Sequence, residues 1–387
     1  MRVVFISNYL NHHQLPLAQA FCDLPGVDYT FVATTPFNSS RAAMGYEDVN
    51  SKYGFVHRAY ESPMHEYLAH SLVNEADIVI VGSAPDNYMI DRLNMGKVTF
   101  HASERYFKRG LNIRNFPRNF ASSMKHIRPF QNKPLYYLCS SAYTAYDVNL
   151  FANYSNRCFK WAYFLDQCQC SLNDLNQKRN NDTPILLWAG RFLDLKHPDV
   201  AIRLSEKLKR HGCKFRMNII GGGGIESQLK SMVNDLQIDD VVNFLGFFPP
   251  EKVRSTMETS DVFLFTSDFN EGWGAVLSEA MSSACAVVSS HAPGSAPFLI
   301  RNGENGFIYR NGEEDQLFEI VEMLLNNKQK RVNIGNEAYN DMQNLWNADI
   351  AAKRLINLYD AIINNESTSL FKSGPCSPAE IINNQWY

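Results

Sequence analysis

A chain of 387 residues outgrows a single hydrophobic core, so two domains are expected. Hydrophobic residues at 45% against 20% charged exclude a disordered chain, and no apolar run is long enough to cross a membrane. A net charge of −3, with no recognisable nucleic-acid module, gives no support to nucleic acid as a partner.

The first segment, MRVVFISNYLNHHQ, reads as a buried strand over Arg2–Ile6 rather than a signal peptide, because Ser7 and Asn8 break the apolar run and no small-residue cleavage site follows. Further strand-like runs at Tyr29–Ala33, Ile78–Val81 and Val98–Phe100 alternate with helix-like stretches such as Leu15–Phe21 and Met64–Asn74. That rhythm predicts a parallel sheet with helices on both faces. In the first βα loop, Asn11, His12, His13 and Gln14 gather hydrogen-bonding groups at a strand end, but no third spaced ligand makes a metal site of the two histidines. His101 stands just past a strand, with Glu104 three residues on, placed as an acceptor-side base or a partner for Arg105 or Lys108.

From Arg105 to Tyr146 there are eight Lys or Arg (Arg105, Lys108, Arg109, Arg114, Arg118, Lys125, Arg128 and Lys133) and no acid, with Tyr106, Phe107, Phe116, Phe120 and Phe130 between them. This is either a solvated basic face or a surface for anionic lipid headgroups or a diphosphate-linked acceptor. The polar stretch DQCQCSLNDLNQKRNNDT breaks the rhythm and reads as a linker over residues 166–183. It holds Cys168 and Cys170, the only close pair among eight cysteines. Cys-x-Cys alone is a weak metal signal, and the spacing suits reduced thiols in a cytoplasmic protein.

The βα rhythm then restarts with strands at Ile185–Ala189, Phe215–Ile220, Val241–Leu245, Val262–Phe265 and Ala286–Ser289, and helices such as Pro198–Arg210 and Ile225–Leu236. The expected organisation is α/β, with two Rossmann-like doubly wound domains facing across a cleft. Residues 1–165 form the first domain and 184–347 the second, with 166–183 between them, followed by 348–387 as a helix (Ala348–Ile363) crossing back and a tail. Ligands of such sheets bind outside the strand carboxyl ends.

Three features of the second half carry chemistry. Arg191 and Lys196 follow a strand and precede a helix, a placement suited to a diphosphate: Arg can fork onto two oxygens and Lys supplies a point charge. The run Gly221–Gly224 fails the dinucleotide spacing because Glu226 stands where a glycine is required, so Gly221 and Gly222 suggest close backbone approach to a phosphate or sugar. In TSDFNEGWGAVLSEAM, a loop through Asn270, Glu271, Gly272, Trp273 and Gly274 leads into a helix opening at Ala275 and Val276, with Glu279 inside it. The helix start suits an anion and the two carboxylates suit sugar hydroxyls. Phosphate and hydroxyls together describe a nucleotide-sugar.

These pieces resemble the retaining glycosyltransferases of family 4, of GT-B architecture. Glu271 and Glu279 match that family's E-x7-E motif, and Arg191 with Lys196 its diphosphate pair. The resemblance implies that the first carboxylate contacts the donor sugar and the second the ribose, with the amides of Gly274, Ala275 and Val276 near the donor phosphate. NFLGF, ending at Phe247, resembles the segment beside the nucleobase, and His101 in TFHAS resembles a histidine near the donor sugar. Trp273 stands where Phe is usual, Phe298 where Glu is frequent, and the first βα loop lacks the usual Gly-Gly. The implied reaction moves a hexose-type sugar from a UDP- or GDP-linked donor to a lipid-linked or glycan acceptor, in cell-surface polysaccharide or glycolipid assembly. No cofactor is expected and, with no DxD sequence in place, no metal. The resemblance makes 1–165 the acceptor-side domain, with His12, His13, Glu104 and Arg105 as its expected acceptor-side residues, makes 184–347 the nucleotide-sugar domain, and makes the segment from Arg105 to Lys133 the expected membrane contact. A nucleotide-sugar epimerase, a glycoside phosphorylase and a non-catalytic sugar-binding protein are the competing readings on the same fold.

Overall fold

The computed structural model describes residues 1–37, 47–108, 110, 113–166, 168–179 and 182–387. It divides into two compact units, Met1–Asp166 with Trp346–Asn383, and Gln167–Leu345 with Asn384–Tyr387.

The first unit is built on a parallel sheet of seven strands: β1 (Arg2–Ser7), β2 (Asp28–Ala33), β3 (Val56–Arg58), β4 (Ile78–Val81), β5 (Thr99–Ser103), β6 (Leu135–Cys139) and β7 (Cys158–Lys160). Their order is β3-β2-β1-β4-β5-β6-β7. Runs such as VVFIS and IVIV are apolar at consecutive positions because helices cover both faces, and every residue of β4 is buried. The helix Pro63–Glu75 starts cleanly because Ser62 Oγ accepts from the His65 amide and Pro63 fills a first-turn position with no amide to satisfy. At its far end the buried guanidinium of Arg92 donates to the carbonyls of Val73, Ala76, Asp77 and Val98 at 2.7–3.2 Å.

The second unit repeats the plan with β8 (Ile185–Ala189), β9 (Arg216–Ile220), β10 (Val242–Gly246), β11 (Val262–Phe265), β12 (Ala286–Ser290) and β13 (Phe307–Tyr309), in the order β10-β9-β8-β11-β12-β13. Its core gathers Trp188, Phe192, Met217, Ile219, Leu264 and Val288. Both sheets reverse direction of growth beside their first strand, at β1/β4 and β8/β11, which is where such sheets open a binding crevice.

Several elements differ from the sequence reading. The strand after Val98 runs on to Ser103, so His101 lies within β5 and not beyond it, registered between Val81 and Tyr137. β3, β7 and β13 have three residues each, too few for an apolar pattern to register, and β6 sits inside the basic stretch. The stretch read as a linker holds a helix, Leu172–Lys178, capped by Ser171 Oγ and packed in the second unit through buried Leu175. The helix Ala348–Ile363 belongs to the first unit and packs on Leu15–Cys22. The tail after it shields the sheet edge: the Cys376 amide donates to Lys160 O and the Ala379 amide to Cys158 O, at 2.8 and 2.9 Å. Its last four residues pack in the second unit, where Tyr387 Oη donates to Ile308 O at 2.6 Å. Among the described residues no helix is long and apolar enough to cross a membrane.

Candidate functional site

In the second unit the loops leaving β8 and β11 emerge side by side at the switch point, and they are laced together. The Asp268 amide donates to Leu195 O at 2.9 Å. Thr266 Oγ1 lies 2.7 Å from Lys196 O and 2.9 Å from His197 O, and accepts from Trp188 Nε1 at 2.9 Å. His197 takes a left-handed conformation, φ 48°, so that the helix Pro198–Arg210 can start directly after Lys196. The lacing brings Lys196 and Glu271, far apart in sequence, into an ion pair with both side chains largely buried, and Ser267 Oγ donates to the same Glu271 oxygen at 3.2 Å. Arg191 lies exposed on the loop leaving β8.

Gly274 caps the helix Ala275–Ser282 at φ 83°, and a Cβ there would meet Phe265 Cζ at 2.2 Å, so glycine is required on two counts. Glu279 lies on this helix, and burial pushes its carboxyl up to about 7, opposed by the charge of Arg254. Asn270 is tied to Asp268, its amide donating at 2.8 Å and its Nδ2 at 3.0 Å. Phe247, 63% exposed, stands at the end of β10.

Trp273 and the glycine run are each fixed by packing within the unit. Trp273 is wholly buried and packs towards Phe298, so its indole lies in the core. Gly221 and Gly223 do make a close approach, but to their own chain: a Cβ on Gly221 would lie 1.9 Å from Gly190 O, and one on Gly223 2.5 Å from Phe192 O. With Phe192 N donating to Gly222 O at 2.9 Å, the glycine run braces the Arg191 loop from beneath. Gly272, Ala275 and Val276 lie in the turn and first helical positions, as their order in sequence requires.

Glu279 gives a pH-dependent expectation. Its carboxyl titrates near 7 folded and near 4.5 unfolded, so the native state is penalised progressively as pH rises through that window and not at all below it. At ~1.36 kcal/mol per pH unit the full effect is ~3 kcal/mol; partial access to solvent reduces this to about 1–2. Glu279→Gln is therefore expected to be more stable than the parent at pH 8 and equal to it at pH 4.5, as measured by urea unfolding at the two pH values.

The first unit has its own cavity at its switch point, about 550 Å³, lined by Ser7, Asn8, His13, Gly82, His101 and Glu104 among others. Burial pushes the His101 imidazole down to about 4, so it is neutral, and its Nδ1 lies 3.5 Å from Tyr106 Oη. Glu104 accepts from Tyr163 Oη and from Lys108 Nζ, each at 2.6 Å. Tyr163, a residue carrying no signal in sequence, also stacks on His13 with ring centroids 5.0 Å apart. His12 packs on His13 but does not line the cavity.

Arg105 does not join a basic surface: it is buried, 3.5 Å from Asp147, with its guanidinium over the Tyr143 ring. Lys108 is paired with Glu104, and Arg109 lies outside the described residues. The remaining cations Arg114, Arg118, Lys125 and Arg128 are exposed around the helix Phe116–His126, while Lys133 is half-buried.

Residues 173–341 match the family profile of glycosyl transferases group 1. The chain is 28% identical over 184 residues to the D-inositol 3-phosphate glycosyltransferase of Corynebacterium aurimucosum, which covers 46% of this chain and 43% of that protein. It is 30% identical over 182 residues to the amylovoran biosynthesis glycosyltransferase AmsK of Erwinia amylovora, covering 46% and 44%. These alignments span less than half the length of either curated relative. In fold the chain is similar over 93% of its length to all of Anabaena HepE, solved with UDP, at a TM-score of 0.67 and 14% identity. It is equally similar, at 0.67 and 15% identity, to the lipopolysaccharide outer core galactosyltransferase WaaB, over 94% of this chain and all of that one. The second unit therefore matches the group 1 glycosyl transferases, and the chain has the two-domain α/β fold called GT-B.

Proposed function

We propose that this protein is a retaining glycosyltransferase of family 4 that moves a hexose-type sugar from a UDP- or GDP-linked donor to an acceptor hydroxyl. The observation that carries the reading is the Lys196–Glu271 pair at the β8/β11 switch point. It sets a cation for the leaving diphosphate against a carboxylate for the sugar hydroxyls. As the glycosidic bond breaks, positive charge grows on the sugar ring and negative charge on the diphosphate. Arg191, Lys196 and the amides of Gly274, Ala275 and Val276 stabilise the diphosphate, Glu279 accepts from the ribose, and Phe247 offers an exposed ring to the base. The diphosphate oxygen takes the acceptor's proton on the same face. HepE's complex with UDP supports the uridine choice by analogy.

The first unit supplies the acceptor side. His13, His101 and Glu104 line its cavity, and neutral His101 can both donate to and accept from a hydroxyl. The acceptor is a lipid-linked or otherwise anionic glycan, in agreement with relatives named for amylovoran and colanic acid biosynthesis. Phe116, Phe120 and Met124, spaced by four residues and 38–49% exposed, make an apolar stripe along the helix Phe116–His126, with exposed Ile113 in the turn before it. Arg114, Arg118, Lys125 and Arg128 flank it, the pattern of a helix lying on an anionic bilayer.

The test is a panel of nucleoside diphosphate sugars scored for slow hydrolysis, with and without anionic vesicles carrying a lipid-linked acceptor. One donor is expected to be hydrolysed without added metal, and the protein to sediment with anionic but not neutral vesicles. Conversion of the donor to another sugar nucleotide without acceptor would make it an epimerase, and binding without turnover a sugar-binding protein.

A further inference from the structure

The structure completes a cluster that the Cys-x-Cys spacing leaves open. Cys168 Sγ, Cys170 Sγ and a Glu258 carboxylate oxygen all lie within 4.8 Å of one another. Glu258 arrives from the end of the helix Pro250–Met257, ninety residues from Cys168. Lys178 Nζ donates to Glu258 Oε2 at 2.6 Å and to Cys170 Sγ at 3.4 Å, and the Cys168 thiol points to Glu258 Oε1 at 4.0 Å. Cys168 is buried with Leu175 and Ala284, and Tyr339 Oη donates to Cys170 O at 3.1 Å. Because the Lys178 ammonium already donates to Cys170 and Glu258, a metal cation would have to displace a positive charge, so the cluster suits thiol chemistry better than metal ligation.

We propose that Cys168 and Cys170 are a peroxide-reactive thiol pair, in which Cys170 is the attacking sulfur, Cys168 the resolving one, Lys178 the cation that holds the thiolate and Glu258 the proton acceptor. Cys170 is the partly exposed member and so the one a peroxide reaches. Its thiolate attacks a peroxide oxygen, the O–O bond breaks, and hydroxide leaves to be protonated to water, giving a sulfenic acid at Cys170. Glu258 takes the Cys168 proton, the Cys168 sulfur attacks the sulfenic sulfur, and hydroxide leaves with that proton as a second water. Two thiols and one hydrogen peroxide thus give one disulfide and two waters, and a dithiol reductant reverses the outcome. The proposal is independent of the transferase reading.

Cys22 serves as an internal control, since it is more exposed and has an acid, Asp23, beside it in place of a lysine. The reduced full-length chain is treated with one equivalent of hydrogen peroxide, quenched by alkylation and read by peptide mass spectrometry. The Cys168–Cys170 peptide is expected to lose two hydrogens at least about tenfold faster than Cys22 is oxidised, as thiolate-stabilised sulfurs do. Cys168→Ser is expected to accumulate a dimedone-reactive sulfenic acid at Cys170. Lys178→Met is expected to slow the pair without changing the circular dichroism spectrum, and Lys178→Arg to restore most of the rate. Oxidation of Cys22 first, or an unchanged rate in Lys178→Met, would overturn the proposal.

Discussion

Lys196→Ala is expected to lower kcat/KM for the donor by about 10²–10³-fold, or ~2.7–4 kcal/mol of transition-state stabilisation, which is what removing one preorganised charge donor costs. The fold should survive, because among the described residues the Lys196 side chain is tied in through its ion pair, while the turn around it is held by backbone and Thr266 contacts. The substitution does more than delete a charge. Among the described residues it leaves the largely buried Glu271 carboxylate with the Ser267 hydroxyl alone, so the carboxylate loses its orientation as well as its partner. Glu271→Gln should therefore be costly alone but add little to Lys196→Ala, since the two act as one unit. Steady-state assays of both variants and the double variant, with circular dichroism as the folding check, decide the matter. Rates equal to the parent's would remove the phosphate role of Lys196.

The second unit was the more legible half. Its motifs sit at strand ends, where a short apolar run fixes the strand and the following residues must face the crevice, so position in sequence translates directly into position in space. That logic places Lys196 and Glu271 together although they are 75 residues apart. It fails for Trp273, because between Glu271 and Gly274 the backbone turns and an indole can be swung into the core, which only tertiary packing decides. It is silent on Thr266 and Trp188, whose hydrogen bond locks the Lys196 turn, because a threonine ending an apolar run looks like any other strand end. The first unit was less legible for a different reason. Its basic stretch reads as one surface, yet Arg105 is drawn inward by Asp147, forty-two residues later, and a long-range buried pair leaves no local trace. The same holds for Glu258, which reaches the Cys168–Cys170 pair from another helix.

Arg92→Met is expected to destabilise the protein by about 3–5 kcal/mol, the range for leaving several buried polar groups unsatisfied. Burial pushes the Arg92 guanidinium down to about 10, so it remains charged at neutral pH, and it is compensated chiefly by carbonyl oxygens rather than by a directly paired carboxylate. Three of those carbonyls, of Val73, Ala76 and Asp77, lie at the end of the helix Pro63–Glu75, where the helix dipole concentrates negative charge. The fourth, of Val98, is the entry to β5. Methionine fills similar volume but satisfies none of them, and Lys offers a single ammonium that cannot span the same set. The loss matters beyond stability because β5 carries His101, whose position between Val81 and Tyr137 depends on where the strand begins. Urea unfolding of Arg92→Met should show a lowered midpoint, while the fraction still folded keeps the parent's KM for the donor, because Lys196 and Glu271, the residues proposed to hold the donor, lie in the other unit. A midpoint equal to the parent's would mean that water satisfies these carbonyls as well as the guanidinium does.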